Sequence, residues 1–245
     1  MRIIFLGVGE AFDEFQPNNS SLVITQNTKL MLDCGFTAAV QLWKYSQDPN
    51  LLDGLYISHQ HGDHFFGIPA LFLRMWEGGR ERPFTIICQK EFKDSFDSFM
   101  EFAYKGFREK FKYSIELVEA KEGETVQFGD MSLSFEATVH SGKNLAVRVE
   151  SGGRSMAYSG DGSPKEKSSF YKGLDLLVLE TYKYDEQIIG HSSIVSGVNF
   201  AEVAGAKKLA LTHINRDVRR NDLLTIKEKL PDWVIVPEAM DEVEL

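Results

Sequence analysis

Short apolar runs separated by turn residues dominate the chain, and most are too brief for helices. Ile3-Ile4-Phe5-Leu6, Leu30-Met31-Leu32 and Gly54-Leu55-Tyr56-Ile57 read as buried strands. Strands are predicted at Arg2–Val8, Ser21–Thr25, Lys29–Leu32, Gly54–Ile57, Phe84–Cys88 and Ser114–Val118. A second set follows at Thr125–Phe128, Met131–Val139, Asn144–Glu150, Arg154–Tyr158, Leu174–Glu180, Lys208–Leu211 and Trp233–Val236. Gly123, Gly129-Asp130 and Ser151-Gly152-Gly153 supply turns between the middle ones.

Helical patterning begins at Thr37, a plausible N-cap, and recurs over Phe65–Trp76, Lys90–Phe111, Pro164–Tyr171, Ser193–Ala206 and a segment after His213. Strands and helices thus fall into two similar halves. They predict an α/β fold, an αββα four-layer sandwich of two mixed β-sheets packed face to face with helices outside. Residues 1–245 are expected to form a single domain. Phe92, Phe96, Phe99, Phe102 and Phe107 recur at near-helical spacing, which predicts a core or subunit-interface stripe and hints at a homodimer.

Composition narrows the classes. Hydrophobic residues at 43% and charged residues at 26% are globular values, and no apolar run approaches the ~20 residues of a membrane span. The apolar start, Ile3 to Leu6, is too short for a signal peptide and is soon followed by Glu10, Asp13 and Glu14, so a first strand fits better. A net charge of −9 argues against a broad nucleic-acid-binding face. Two distant cysteines, Cys34 and Cys88, suggest no structural disulfide, and a cytoplasmic setting is expected.

The candidate chemistry sits at strand ends. Ser58-His59-Gln60-His61-Gly62-Asp63-His64 directly follows the Gly54–Ile57 run, so three imidazoles and a carboxylate emerge together. His59 and His61 can converge on one cation, with Asp63 and His64 offset toward a second. The remaining histidines, His140, His191 and His213, each fall at or near a predicted strand end, as does Asp161. Histidines scattered at random would fall partly on helix faces, so this placement points to one shared site.

His-x-His-x-Asp-His at a strand end, with Asp33 in Leu32-Asp33-Cys34-Gly35, Asp161 in Ser159-Gly160-Asp161 and His213 in Leu211-Thr212-His213, resembles the metallo-β-lactamase superfamily of dinuclear metallohydrolases. The likeness covers nearly the whole chain. It implies two divalent metal ions, zinc foremost with manganese or iron as alternatives. His59, His61 and His140 would hold one ion and Asp63, His64 and His213 the other, with Asp161 bridging. A hydroxide held between them would be the nucleophile, oriented or deprotonated by Asp63, and Asp33 would orient a ligand histidine.

Within that superfamily the chain resembles the ribonuclease Z branch of phosphodiesterases. The paired loops usually written His-Glu-Ala-Thr and His-Ser-Thr have counterparts in Leu179-Glu180-Thr181-Tyr182 and Gly190-His191-Ser192-Ser193. The resemblance implies that His191 contacts a phosphate oxygen or protonates the leaving alkoxide, with Glu180 holding it charged. Two departures bear on tRNA. The tRNA-gripping arm would lie between His140 and Asp161, where this chain has one ordinary hairpin, and the first loop opens on Leu179 instead of histidine. Arg216, Arg219 and Arg220, with Arg74, Arg80 and Arg82, are either surface residues or phosphate binders; Arg216 and Ser192 are carried as substrate-binding candidates.

The leading expectation is a metal-dependent phosphodiesterase acting on a cyclic nucleotide, a cyclic phosphate or a short nucleic-acid ester, with no membrane partner. A tRNA 3′-processing endoribonuclease is the alternative of the same chemistry. A thioester, lactone or β-lactam hydrolase changes the bond attacked, and a di-iron electron-transfer or oxygen-binding scaffold would be non-enzymatic.

Overall fold

Alternation along the first strand sets how the layers stack. In β1 (Arg2–Gly7), successive side chains leave by opposite faces. Ile3 and Phe5 enter one buried cluster and Ile4 and Leu6 another. A computed structural model, describing residues 1–245, shows what lies on each side. With β1, the strands β2 (Ser20–Ile24), β3 (Lys29–Leu32), β4 (Gly54–Tyr56), β5 (Phe84–Cys88) and β6 (Ile115–Glu119) form one sheet. The second sheet comprises β7 (Thr125–Phe128), β8 (Met131–Ala137), β9 (Leu145–Ser151), β10 (Arg154–Tyr158), β11 (Leu176–Glu180), β12 (Leu209–Thr212) and β13 (Val234–Ile235). Finally β14 (Glu242–Glu244) returns to pair antiparallel with β1 and gives the first sheet its seventh strand.

Both sheets have an antiparallel flank and a parallel one: β3 to β6 run parallel in the first, and β10 to β13 in the second. In β11, Leu176 and Val178 join Ile3 and Phe5 between the sheets, whereas Leu177 and Leu179 turn to a third cluster outside. The helices close the outer faces. Ala38, Leu42, Phe72, Phe92 and Phe96 come from α1 (Ala38–Tyr45), α3 (Ile68–Glu77) and α4 (Lys90–Ala103), which follow the single-turn α2 (Gly62–Phe65) in covering the first sheet. Ile194, Ala201, Val218 and Ile226 come from α5 (Ile194–Ala204), α6 (Arg216–Asn221) and α7 (Leu223–Lys227) and cover the second. Two mixed sheets between helical layers form the four-layer α/β sandwich.

Several elements differ from the sequence reading. The Phe65–Trp76 helix is interrupted at Gly67, and Pro69 lies in the first turn of α3, where a missing N–H costs nothing. The next helix stops at Ala103 instead of Phe111, because the chain turns at Tyr104 and through Gly106 at φ +71°. Its phenylalanine stripe is therefore split. Phe92 and Phe96 pack into the core, Phe102 is exposed, and Phe107 lies 5.5 Å from Trp76 beyond the helix end. Pro164–Tyr171 is a series of turns, not a helix, with Lys167 at φ +60° and only Tyr171 fully buried. The segment after His213 forms two short helices, and β14 was not anticipated at all.

Candidate metal centre

The His59–His64 segment is moulded onto the turn after β3. Cys34 donates its N–H to the His64 carbonyl at 2.7 Å, and Gly67 donates to the Cys34 carbonyl at 2.9 Å. A Cβ at Gly35 would lie 1.8 Å from the Asp63 carbonyl oxygen, so only glycine allows this approach. Asp33 and His213 directly follow β3 and β12, and both adopt the left-handed conformation, at φ +57° and +56°. Non-glycine residues held there cost roughly 1–3 kcal/mol, and at both positions the turn directs a functional side chain inward.

Asp33 is the anchor of the inner wall. Its Oδ1 accepts the Ser58 N–H at 2.7 Å, and its Oδ2 accepts the Ser58 hydroxyl at 2.7 Å and the Tyr158 hydroxyl at 2.8 Å. The same Oδ2 faces His64 Nδ1 at 2.7 Å, which makes that nitrogen the protonated one. Ser58, having given its proton to Asp33, accepts from His59 Nδ1 at 3.0 Å. His140 Nδ1 donates to the Gly190 carbonyl at 3.0 Å. Each of these imidazoles is thus pinned by one nitrogen, leaving a lone pair on the other.

Those free atoms converge. His59, His61, His140 and Asp161 form one group able to hold a metal ion, and Asp63, His64, Asp161 and His213 form a second sharing Asp161. Asp161 Oδ1 lies 3.2 Å from His64 Nε2, while its Oδ2 lies 3.4 Å from His213 Nε2 and 3.9 Å from His59 Nε2. Asp63 Oδ2 lies 3.4 Å and 3.7 Å from His64 and His213 Nε2. His140 Nε2 and His61 Nδ1 face each other at 3.2 Å.

Buried polar atoms are almost always paired, yet His59 Nε2, His64 Nε2, His213 Nε2 and Asp161 Oδ1 have no hydrogen-bond partner. Imidazole and carboxylate acceptors aimed at common points fit divalent cations of the zinc, manganese or iron type.

The electrostatics agree. Burial, reinforced by His64, holds His59 well below the usual imidazole range, and burial with His140 lowers His61. Burial opposes charge on His64 and His213 too, but Asp161 with Asp33 raises His64, and Asp161 with Asp63 lifts His213 to about 9. Asp161 is held well below the carboxylate range, its neighbouring histidines overcoming burial. Any proton that these carboxylates hold on His64 or His213 competes with a cation for the same nitrogen.

Beside the second group lies a dyad. Glu180 is fully buried at the end of β11; its Oε1 accepts the Gly162 and Ser192 N–H groups at 3.1 and 2.9 Å. Its Oε2 faces His191 Nδ1 at 3.2 Å. Burial disfavours the charged imidazole, but the Glu180 hydrogen bond prevails and the His191 pKa is raised. His191 packs 5.0 Å from the Tyr182 ring and 5.2 Å from His140. Ser193, two residues on, caps α5 reciprocally with Ser196, which fixes where this loop ends.

Sequence reasoning missed three supports. Ser58 and Tyr158 hold Asp33, and Asn144 donates to the Ser159 and Asp161 carbonyls while accepting the Asp161 N–H at 3.2 Å. Ser58 and Tyr158 abut recognisable motifs, and that adjacency was the available signal. Each of the arginines singled out in the sequence has a partner of its own. Arg216, Arg219 and Arg220 pair with Glu10, Asp13 and Glu14, so none is a free cation. Arg80 is buried on the carbonyls of Pro49, Arg82 and Pro83, Arg82 pairs with Asp53, and Arg74 lies over Trp43. Ser192 is buried, and its contact with the dyad is through its backbone.

Fold and site together define a metal-dependent hydrolase of the metallo-β-lactamase fold, in its ribonuclease Z-like branch. The metallo-β-lactamase fold protein YhfI from Bacillus subtilis superposes with a TM-score of 0.83 at 21% identity, covering 99% of this chain and 98% of that one. Human tRNase Z short form (ELAC1) gives 0.83 at 20% identity, over 100% and 99%. Ribonuclease Z of Methanosarcina mazei is 25% identical over 306 residues, covering 100% of this chain and 98% of the relative, so it carries segments with no counterpart here. Residues 1–220 match the family described as Anti-Pycsar protein Apyc1, and the chain belongs to that family.

Proposed function

We propose that the chain is a phosphodiesterase for a small diester, a cyclic nucleotide, a cyclic phosphate or a short nucleic-acid ester, working as one catalytic domain with two divalent ions, zinc foremost. The observation that carries this is the Glu180–His191 pair set against the two ligand groups. His59, His61 and His140 would hold one ion, Asp63, His64 and His213 the other, and Asp161 both. When bound, the ions supply Lewis acidity, ionising water near neutral pH and drawing charge from a phosphoryl oxygen.

The protein's own groups do the rest. Asp63 Oδ2 orients the attacking water and takes its proton, and Asp33 keeps His64 and, through Ser58, His59 in the required tautomers. His191, charged and fixed by Glu180, protonates the departing alkoxide. An acyl hydrolase does not need that acid. The two buried free thiols, Cys34 and Cys88, suit a reducing cytoplasm.

A ribonuclease Z activity is the second reading, favoured by relatives that bear that name at 25–27% identity. Against it stand the short β9–β10 turn at Ser151–Arg154, where an arm would emerge, and the neutralised arginines. The test is turnover of bis-p-nitrophenyl phosphate by protein shown by elemental analysis to carry zinc or manganese. Metal-loaded protein inactive with both would reject the proposal.

A further inference from the structure

Glu180 holds His191 through one contact, Oε2 to Nδ1 at 3.2 Å. A single hydrogen bond fixes one point of an imidazole and leaves its plane free to rock. An acid must aim the N–H of its other nitrogen along the line to the leaving oxygen, so the plane matters as much as the point. We propose that Tyr182 is a positioning residue for the reaction: its ring, stacked on His191, sets the plane in which that acid delivers its proton. This rests on the phosphodiesterase reading.

The backbone laces Tyr182 between the two loops whose histidines it meets. Thr181 donates its N–H to the Thr212 carbonyl at 2.9 Å. Tyr182 then donates its own N–H to the Ser192 carbonyl at 2.8 Å and accepts the Asn215 N–H at 2.9 Å. Ser192 directly follows His191, and Asn215 lies just beyond His213, so the stem of the tyrosine is fixed relative to both.

The rings follow from that placement. The Tyr182 centroid lies 5.0 Å from His191 at an interplanar angle of 30°, and 6.2 Å from His213 at 40°. His191 and His213 are themselves nearly parallel, 5.9 Å apart at 9°. Rings so arranged attract, and a tyrosine face attracts an imidazolium as well as an imidazole. His140 meets His191 edge-on, at 5.2 Å and 82°. The planes of His140 and His213 answer to the ions that their nitrogens would hold, whereas Tyr182 belongs to neither ligand group and can serve the acid alone. The paired-loop pattern that this segment resembles ends on threonine where this chain has Tyr182. Threonine offers no face to stack, so the support comes with the tyrosine.

Tyr182→Thr and Tyr182→Phe, checked for fold by circular dichroism, test the stacking with and without catalysis. In metal-free protein the His191 ring protons, assigned by their loss in His191→Ala, should lie upfield under the Tyr182 ring current. They should move downfield in Tyr182→Thr and stay in place in Tyr182→Phe. In enzyme shown to carry equal metal, Tyr182→Thr should lower kcat for cyclic AMP, whose leaving group is an alkoxide, about tenfold, with KM within about twofold. Its kcat for bis-p-nitrophenyl phosphate, whose leaving group needs no proton, should stay within about twofold. Tyr182→Phe, which keeps the ring face, should recover the loss on cyclic AMP. An equal fall in kcat for both esters, a phenylalanine variant no better than the threonine one, or unmoved His191 resonances in folded Tyr182→Thr overturns the proposal. If metal-loaded wild type turns over neither ester, the phosphodiesterase reading fails, and the resonances alone then decide whether Tyr182 holds His191.

Discussion

Two polar clusters flank the Val8–Gly9 backbone, which His213 joins through its N–H, and they behave in opposite ways. In the histidine–aspartate cluster, acceptor atoms from distant segments converge, and four of them are buried without a partner. In the other, Glu10, Asp13 and Glu14 of the loop after β1 meet Arg216, Arg219 and Arg220 of α6, while Arg216 and Arg220 also cover Phe12 and Phe15. Asp13 Oδ2 and Arg219 Nε are also buried without a hydrogen bond, but they are opposite charges 3.3 Å apart, so the charges there consume one another and α6 is tied to the loop. Atoms of one polarity that cannot satisfy each other require an outside ion; charges that cancel build scaffold. Residue type alone does not separate the two cases, since both kinds of cluster are rich in the groups that bind substrates.

The contrast breaks first at Asp161. Asp161→Ala should empty both ligand groups, with metal content by elemental analysis falling to background and turnover falling more than about 10⁴-fold. Retention of two metals would mean that the carboxylate is not shared.

His191→Ala comes next. It should keep its metals yet lose about 10²–10³-fold in kcat on alkyl diesters, with far less effect when p-nitrophenolate leaves. The pH profile sharpens this. A group with a raised pKa that acts as an acid is active below that pKa, so kcat should hold at lower pH and fall as pH climbs through it. That alkaline limb should vanish in His191→Ala. A limb that survives would assign the proton to another group.

Asp33→Asn should act more gently, through orientation. Loss of the acceptor for His64 Nδ1 predicts about 10–100-fold weaker metal binding by competition with a chelator, with activity restored by excess metal.

How far these features were legible from residues alone follows the same division. The strand-end histidines could be read because local periodicity places strand ends, and six ligand or acid residues with Asp161 all sit there. Asp33 was found through its likeness to a motif, but its four contacts come from the loop after β4, from α2 and from β10, which sequence order cannot show. The Arg216–Glu10 pair joins positions separated by 206 residues, and no local pattern reports such an encounter. β14 was missed for a related reason: Glu242-Val243-Glu244 has almost no strand pattern of its own and is a strand because β1 offers a free edge. Pro164–Tyr171 failed the other way, its helix-like composition being overridden by Tyr171 docking into the outer core and by the turn at Lys167.

Arg220 carries the smallest expected effect and the sharpest test of what separates the clusters. Its guanidinium is half exposed, paired with an equally exposed Glu14. Exposed pairs of this kind contribute about 0–1 kcal/mol, so Arg220→Ala should lower the melting temperature by no more than a few degrees, roughly. As scaffold, it should leave kcat and KM for a small diester within about twofold of wild type, with an unchanged dependence of KM on salt. A phosphate-gripping arginine would behave differently: KM would rise, and its salt dependence would flatten because one fewer cation meets the substrate. The buried Arg219–Asp13 pair, 3.3 Å apart, is the internal control. Arg219→Ala leaves a buried carboxylate uncompensated and should cost about 3 kcal/mol of stability with kcat preserved in the folded fraction. Stability loss at Arg219 with kinetic silence at Arg220 is what a clamp produces; a kinetic effect at Arg220 without a stability effect at Arg219 would make this face part of the substrate site.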